Sequence, residues 1–117
     1  MSDATAQHPL SATVVDFINA TNAFDTERAL ALFSTTAVID DPSTGRTFNK
    51  HAGVRDYLET YFLGYHTVTR LLSLDGLGDA RARARVDFTG DFGHEIGLLL
   101  VAVDSEGRIS RIDASLE

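Results

Sequence analysis

Cysteine and tryptophan are absent from this chain of 117 residues. Without cysteine the protein has neither a disulfide framework nor a thiolate metal site. No apolar run approaches the ~20 residues that a membrane-spanning helix needs. Residues 1–7 are polar and lack the apolar segment of a signal peptide. We therefore expect a cytoplasmic protein that makes no contact with membranes.

An excess of basic residues is also lacking, because the net charge is -7. A negative chain disfavours nonspecific binding to nucleic acid or to anionic lipid. Arginines do recur at Arg81, Arg83 and Arg85, but Asp79 and Asp87 flank them. We interpret this run as a solvated or ion-paired strand face, and we predict no nucleic-acid partner.

The length and the apolar fraction of 44% indicate a globular protein with one hydrophobic core. Polar residues 1–8 are typical of a flexible tail, so we predict a single domain over residues 9–117. The four histidines show no metal-ligand spacing. We predict no metal and no cofactor.

Helical periodicity is confined to the first half of the chain. It predicts a first helix over residues 9–23 and a second helix that begins at the N-cap Asp25 and buries Phe33. A third helix ends at Gly64, and its apolar stripe has spacing i, i+3, i+4, i+7 and i+8. This stripe consists of Val54, Tyr57, Leu58, Tyr61 and Phe62.

The rest of the chain has the period-two alternation of β-strands. The pattern predicts strands at about 37–41, 46–48, 67–74, 80–89, 96–103 and 108–116. The fold class is therefore α+β, with three N-terminal helices packed on a curved antiparallel sheet.

The strand at 96–103 is apolar on both faces, so both faces need a cover. The helices can cover one face. A second copy of the chain can cover the outer face, which favours a homodimer through that face. Alternatively, long arginine stems from neighbouring strands shelter it.

Asp41 is the candidate catalytic residue. Strand alternation places it on the same side as Ala37 and Ile39, among apolar neighbours. A carboxyl group enclosed in this way is a candidate proton carrier. Alternatively, Asp41 and Pro42 form a turn in which the carboxylate accepts backbone N–H groups. Asp40, on the opposite side of the strand, is the better candidate for that structural role.

Inward-facing positions predict a roomy apolar pocket around Asp41 that suits a small hydrophobic molecule with one polar group. The predicted substrate-binding residues are Phe17, Thr21, Ile39, Leu58, Tyr61, Phe62, Ala84, Val86, Phe88, Leu99, Val101, Ile112 and Ala114.

The order helix, helix, short strand, helix and curved sheet resembles the cone-shaped α+β barrel of the nuclear transport factor 2-like superfamily. The sequence at residues 17–25, 29–33 and 38–42 resembles the N-terminal part of ketosteroid isomerases and SnoaL-like polyketide cyclases. Residues 51–57 and 106–109 are similar to the same family's third helix and last hairpin.

The resemblance implies that Asp41 is a general base that moves a proton beside a carbonyl group. It also implies two donors for the enolate oxygen, but Phe17 stands where the isomerases have Tyr and Leu99 where they have a protonated Asp. Steroid isomerisation of that type is therefore not expected. Replacement donors could come from a set near the end of the third helix: Tyr57, Tyr61, Tyr65 and His66. Tyr57 and Tyr61 lie on the buried stripe and are better interpreted as core aromatics, and His66 is better interpreted as a loop histidine.

Two other functions remain open at this point. The chain can be a ligand-binding or dimerisation module without catalysis, because this fold hosts many functions. Limonene epoxide hydrolases share the fold, and Arg85-Val86-Asp87 resembles their Arg-x-Asp motif. The alternation, however, points Arg85, Asp87 and Asp113 away from the pocket.

Overall fold

The computed structural model describes residues 10–117. The predicted tail 1–8 and the predicted helix start at Pro9 lie outside these residues. The helices are α1 (Ser11–Asn22), α2 (Thr26–Leu30) and α3 (Lys50–Tyr57), and α3 continues as a wider π-helical turn over Leu58–Leu63. None of the helices in this part of the chain is long and apolar enough to cross a membrane.

Six strands form one sheet. They are β1 (Phe33–Asp41), β2 (Arg46–Asn49), β3 (Val68–Gly76), β4 (Arg81–Gly90), β5 (Gly93–Val103) and β6 (Ile109–Leu116). A short 3₁₀ turn, Pro42–Thr44, joins β1 to β2. The strand order is β2-β1-β6-β5-β4-β3. The α+β prediction is confirmed, with one revision: β1 pairs with β6 in parallel, while the other pairs are antiparallel.

The start of β1 corrects the prediction for the second helix. That helix ends at Leu30, and Phe33 is the first residue of β1 instead of a buried helical residue. Phe33 pairs with Ile109, whose N–H donates to the carbonyl of Leu32 at 2.8 Å. Pairing with a strand far along the chain therefore overrides the local helical pattern.

The two faces of the sheet follow the predicted alternation. On β4, Ala82, Ala84 and Val86 are fully buried beneath the helices, and this side is the inner face. Arg81, Arg83 and Arg85 are exposed on the opposite side, the outer face. Helix α3 packs against β1, and α1 packs against β3.

Aromatic rings fill the space between α1 and the sheet. The ring of Phe17 meets Phe33 and Phe62 edge to face, with centroids 5.8 and 6.1 Å apart. Leu10, Val14 and Ile39 are buried in the same core. This part of the inner face is packed solid.

The predicted end of the third helix at Gly64 is confirmed, although the reason differs. Gly64 has an ordinary φ of -63°, and its N–H donates to the carbonyl of Glu59 at 2.9 Å. A Cβ at this position would lie 2.6 Å from the carbonyl oxygen of Thr60. The wide turn thus requires glycine for space and not for a left-handed backbone.

Candidate functional site

A cavity of about 430 Å³ opens on the inner face, beside the far end of α3. A volume of this size suits a small organic ligand. Most of its aromatic wall comes from α3 and the turn that follows it. The lining residues are Asp41, Ser43, Thr44, Tyr57, Tyr61, Phe62, Tyr65, Thr67, Phe88, Asp91, Phe92, Glu95 and Leu116.

Two glycines shape the sheet side of this cavity. A Cβ on Gly97 would lie 2.8 Å from the ring of Phe88, so glycine lets that ring lie across β5. A Cβ on Gly90 would lie 2.7 Å from the carbonyl oxygen of Tyr65. The absence of a side chain there lets the β4–β5 turn pack on the end of the third helix, where the N–H of Asp91 donates to the same carbonyl at 2.9 Å.

Three tyrosines form a ladder along one wall. Tyr57, Tyr61 and Tyr65 are spaced i, i+4 and i+8, which places them on one side of the helix. Their ring centroids are 5.3 and 5.9 Å apart in sequence order, and Phe92 extends the row 6.2 Å beyond Tyr65. From the ring of Tyr57 to the ring of Tyr65, the ladder is therefore at most about 11 Å long. It runs from Asp41 at one end to the β4–β5 turn at the other.

Asp41 lies at the inner end of the ladder, and its residue surface is 8% exposed. Its Oδ1 accepts the N–H of Ser43 at 3.1 Å and the hydroxyl of Ser43 at 2.6 Å. Its Oδ2 accepts the hydroxyl of Tyr57 at 2.7 Å. Three neutral donors therefore fix the carboxylate at the cavity wall.

The turn role expected for Asp40 belongs to Asp41. The carboxylate of Asp41 caps the turn Pro42–Thr44 and also lines the cavity. Asp40 lies on the opposite side of β1, where its Oδ2 is 3.4 Å from the guanidinium of Arg111. Asp41 has this role because it directly precedes the turn and its side chain can reach the N–H of Ser43, two residues on.

Tyr57 is a donor and not a base. Burial raises the pKa of the Tyr57 phenol well above its usual range, and the charge of Asp41 and the hydrogen bond to it raise the pKa further. Tyr61 adds a smaller electrostatic contribution in the same direction. Tyr57 therefore keeps its proton at neutral pH and donates a hydrogen bond to Asp41.

Only part of the predicted pocket wall lines the cavity. Tyr61, Phe62 and Phe88 do so, together with Asp41. The other predicted residues are buried in the packed core instead: Phe17, Thr21, Ile39, Leu58, Ala84, Val86, Leu99, Val101, Ile112 and Ala114. Alternation identifies the inner face but not the distance along each strand. The helices fill the middle of that face, so the cavity lies toward the strand ends.

The predicted replacement donors divide in the same way. Tyr57, Tyr61 and Tyr65 all line the cavity. Within residues 10–117, neither the Tyr61 nor the Tyr65 hydroxyl makes a hydrogen bond to the protein, so both are free to meet a ligand. His66 is not a lining residue; its Nδ1 lies 2.9 Å from Oδ2 of Asp91 on the exposed rim.

Several lining residues were missed by the sequence analysis. They lie in the β1–β2 turn, in the β4–β5 turn, just before β3, and at the ends of β5 and β6: Ser43, Thr44, Thr67, Asp91, Phe92, Glu95 and Leu116. The Asp-Pro-Ser order was a usable signal for Ser43, because a serine two residues after Asp is typical of such turns. The other residues carry no local signal.

The Arg-x-Asp set lies outside the cavity, as the alternation predicts. Arg85 makes a two-pronged ion pair with Glu117 at 2.7 and 2.9 Å. Asp87 lies between Arg70 at 3.1 Å and His94 at 2.6 Å. No group of three or more potential metal ligands occurs within residues 10–117.

Comparison with known proteins identifies the fold. A Mycobacterium tuberculosis protein in complex with estradiol-17β-hemisuccinate has a TM-score of 0.80 at 16% identity, over 92% of this chain and 93% of that one. SalBIII, an epoxide hydrolase/cyclase-like enzyme with a role in pyran ring formation in the polyether salinomycin, has a TM-score of 0.78 at 15% identity, over 89% and 87%.

An NTF2-like protein of unknown function from Cytophaga hutchinsonii has a TM-score of 0.77 at 12% identity, over 100% of this chain and 93% of that one. No family model and no curated protein matches the sequence. At these identities the likeness is one of structure. The chain has the nuclear transport factor 2-like fold.

Proposed function

We propose that the protein binds a small, largely apolar carbonyl compound in this cavity and moves a proton on it, as an isomerase or a cyclase, with Asp41 as general acid/base. One observation carries the proposal. A buried carboxylate is fixed by Tyr57 and Ser43 on the wall of a cavity that six aromatic rings also line. A carboxylate held in place beside an apolar substrate is suited to proton transfer.

The hydrogen bonds of Asp41 leave room for one more. A carboxylate has about four acceptor sites. Ser43 fills the two on Oδ1, and Tyr57 fills one on Oδ2. The remaining site on Oδ2 is the position at which a proton from the substrate is accepted.

The reaction proceeds as a proton transfer in both directions. Oδ2 of Asp41 takes a proton from the carbon beside the carbonyl, and the C–H electron pair forms an enolate. In an isomerisation, Asp41 returns the proton to a different carbon. In a cyclisation, the enolate carbon attacks a second carbonyl of the same molecule, and the new alkoxide takes the proton back.

The enolate oxygen needs a hydrogen-bond donor. Phe17 and Leu99, at the isomerase positions, are apolar core residues and provide none. We assign this role to the hydroxyl of Tyr61, which lies next to Tyr57 on the ladder and lines the cavity. Tyr57 is less suitable because its hydroxyl already donates a hydrogen bond to Asp41.

The compared proteins support a hydrophobic ligand. The Mycobacterium tuberculosis protein holds a steroid ester, and SalBIII takes part in ring formation. Both use the same fold, although fold alone does not define a reaction. The alternative of a non-enzymatic binding module uses the same cavity without turnover.

Exchange of substrate hydrogens tests the proposal. 1-Tetralone, a bicyclic ketone, is incubated with the protein in D₂O, and loss of its α-proton signal is followed by NMR. We expect the parent protein to exchange these protons faster than buffer alone. Asp41→Asn should lower the rate by about 10² or more. Tyr61→Phe should lose about 10²-fold, because one donor to the enolate oxygen is removed.

Asp40→Asn is the matched control, since it makes the same change on the opposite side of β1. It should exchange 1-tetralone at the parent rate. If Asp41→Asn exchanges as fast as the parent, Asp41 is not the base. If the parent protein binds 1-tetralone but neither it nor any variant exchanges the α-protons, the result supports the non-enzymatic module.

A further inference from the structure

We infer that the ligand carries a positive charge at the end that faces the β4–β5 turn, opposite the group that meets Asp41. This inference rests on the proposed ligand cavity and specifies the class of ligand that it takes. Its basis is the chemistry of the lining side chains, which include aromatic rings and carboxylates but no lysine, arginine or histidine.

The aromatic content of the wall suits a cation. Six of the lining side chains are aromatic: Tyr57, Tyr61, Phe62, Tyr65, Phe88 and Phe92. The faces of such rings attract ammonium groups that lie within about 6 Å of the ring centre. Tyr65 and Phe92 are 43% and 42% exposed, although large aromatic side chains are usually better covered. These two rings form the open end of the wall.

Carboxylates stand at both ends of the cavity. Asp91 and Glu95 line its open end, beside Tyr65 and Phe92, and Asp41 lies at the inner end. His66 contacts Asp91 and can neutralise it when protonated. Among the described residues, Glu95 forms no ion pair. The open end therefore combines exposed aromatic rings with negative charge.

Asp41 itself lacks a positive partner in the described part of the chain. Its donors, Tyr57 and Ser43, are both neutral. Arg46 lies opposite Asp41 in the β1–β2 ladder, but its guanidinium contacts Asp56 at 2.9 Å and the face of Phe48 at 4.5 Å. The charged side chains that line the cavity are thus all acidic, and they oppose an anionic ligand.

The separation of the two ends defines the shape of the ligand. The tyrosine ladder is at most about 11 Å long, which is roughly the length of two to three fused rings. The ligand class is an elongated, planar apolar molecule with an oxygen function at one end and an ammonium group at the other. Its flat body lies along Tyr57, Tyr61 and Tyr65.

Three naphthols of the same shape test the charge at the open end. They carry at position 6 a trimethylammonium group, a tert-butyl group or a sulfonate group, and their hydroxyl at position 2 reaches Asp41. Binding is measured at low salt and pH 8, where most histidines are neutral, through the naphthol fluorescence. We expect the cation to bind about 10-fold more tightly than the tert-butyl compound, and the sulfonate to bind most weakly.

The double variant Asp91→Asn/Glu95→Gln should reduce the preference for the cation to about threefold or less, because the ring contacts remain while the charges are lost. Asp16→Asn/Glu106→Gln removes the same charge at exposed sites outside the cavity and should keep the full preference. Both variants change exposed side chains, and circular dichroism verifies that they fold.

Equal or weaker binding of the cation than of the tert-butyl compound overturns the inference, as does a preference that survives in Asp91→Asn/Glu95→Gln. Binding of none of the three naphthols also overturns it. In each case the exchange of 1-tetralone tests the proposed function separately, because that ketone has no charge and its proton exchange depends on Asp41.

Discussion

Charged side chains have different partners on the two faces of the sheet. On the outer face, Arg85 meets Glu117, and Arg111 meets Asp113 and Asp40. On the inner face, the carboxylate of Asp41 is buried and meets only neutral donors. An exposed ion pair is largely replaced by water when it is broken, whereas a buried carboxylate depends on each of its partners. Substitutions on the two faces should therefore differ in their effects.

The largest difference is expected between Asp41→Ala and Asp113→Ala. Asp41→Ala removes the acceptor of three hydrogen bonds and leaves the Tyr57 hydroxyl without a partner, which should cost about 3 kcal/mol of unfolding free energy. Asp113→Ala removes an exposed partner of Arg111 and should change it by about 0.5 kcal/mol or less. Urea denaturation measures both values, and equal losses would contradict the comparison.

Tyr57→Phe should have the next largest effect. The variant keeps the ring but removes the donor to Oδ2 of Asp41, and a hydrogen bond to a charged group contributes about 2 kcal/mol. Tyr61→Phe is the matched control, because the Tyr61 hydroxyl makes no hydrogen bond within residues 10–117. It should be as stable as the parent in the same denaturation experiment.

Alkaline pH should reveal the raised pKa of Tyr57. Burial and Asp41 raise the pKa of Tyr57 in the folded protein, so the unfolded chain loses this proton first, near the ordinary tyrosine pKa of ~10. Stability should therefore fall as pH rises above about 10, until Tyr57 also ionises in the folded state. Tyr57→Phe should show a shallower decline in urea titrations across this range. A decline of unchanged slope would contradict the account.

A substitution in the apolar row of the outer face tests the predicted homodimer. Ile96, Leu98 and Leu100 are half-buried on β5 between the arginines of β4 and the mixed charges of β6. We propose that a second copy covers this row. Leu98→Glu should then convert dimers to monomers in light scattering. A parent protein that is monomeric at all concentrations would instead support shelter by the arginine stems.

The smallest effect is expected for Arg85→Gln. It breaks the exposed pair with Glu117, which water replaces, so unfolding free energy should not change measurably. The exchange of 1-tetralone should also be unchanged, because Arg85 lies on the face opposite the cavity. Loss of activity in this variant would support the hydrolase-like arrangement of Arg85 and Asp87.

The contrast between the faces also explains what sequence could predict. Alternation in β4 correctly separates Val86 from Arg85, since one residue along a strand always changes the face. The position of the cavity along the inner face depends on where α1 and α3 leave space. Ala84 and Leu99 therefore look like wall residues in sequence but are core residues in the structure. Glu95 and Phe92 become lining residues only because a turn folds onto the end of the third helix.

Asp41 shows the same limit at a single residue. Its position on the inner side of β1 follows from alternation, and its turn follows from the adjacent Pro42. In sequence, a place in the pocket and a place in the turn look like alternatives, whereas in the structure one carboxylate both lines the cavity and caps the turn. The third donor, Tyr57, lies sixteen residues away and reaches Asp41 only through the packing of α3 on the sheet.

A crystal structure of the protein with 6-tert-butyl-2-naphthol tests the central claim most directly. The account predicts that this neutral ligand lies flat along Tyr57, Tyr61 and Tyr65 with its hydroxyl donating to Oδ2 of Asp41, at the ~2.6 Å of a charge-assisted O–H···O bond. A ligand bound elsewhere, or one whose hydroxyl points away from Asp41, would contradict it.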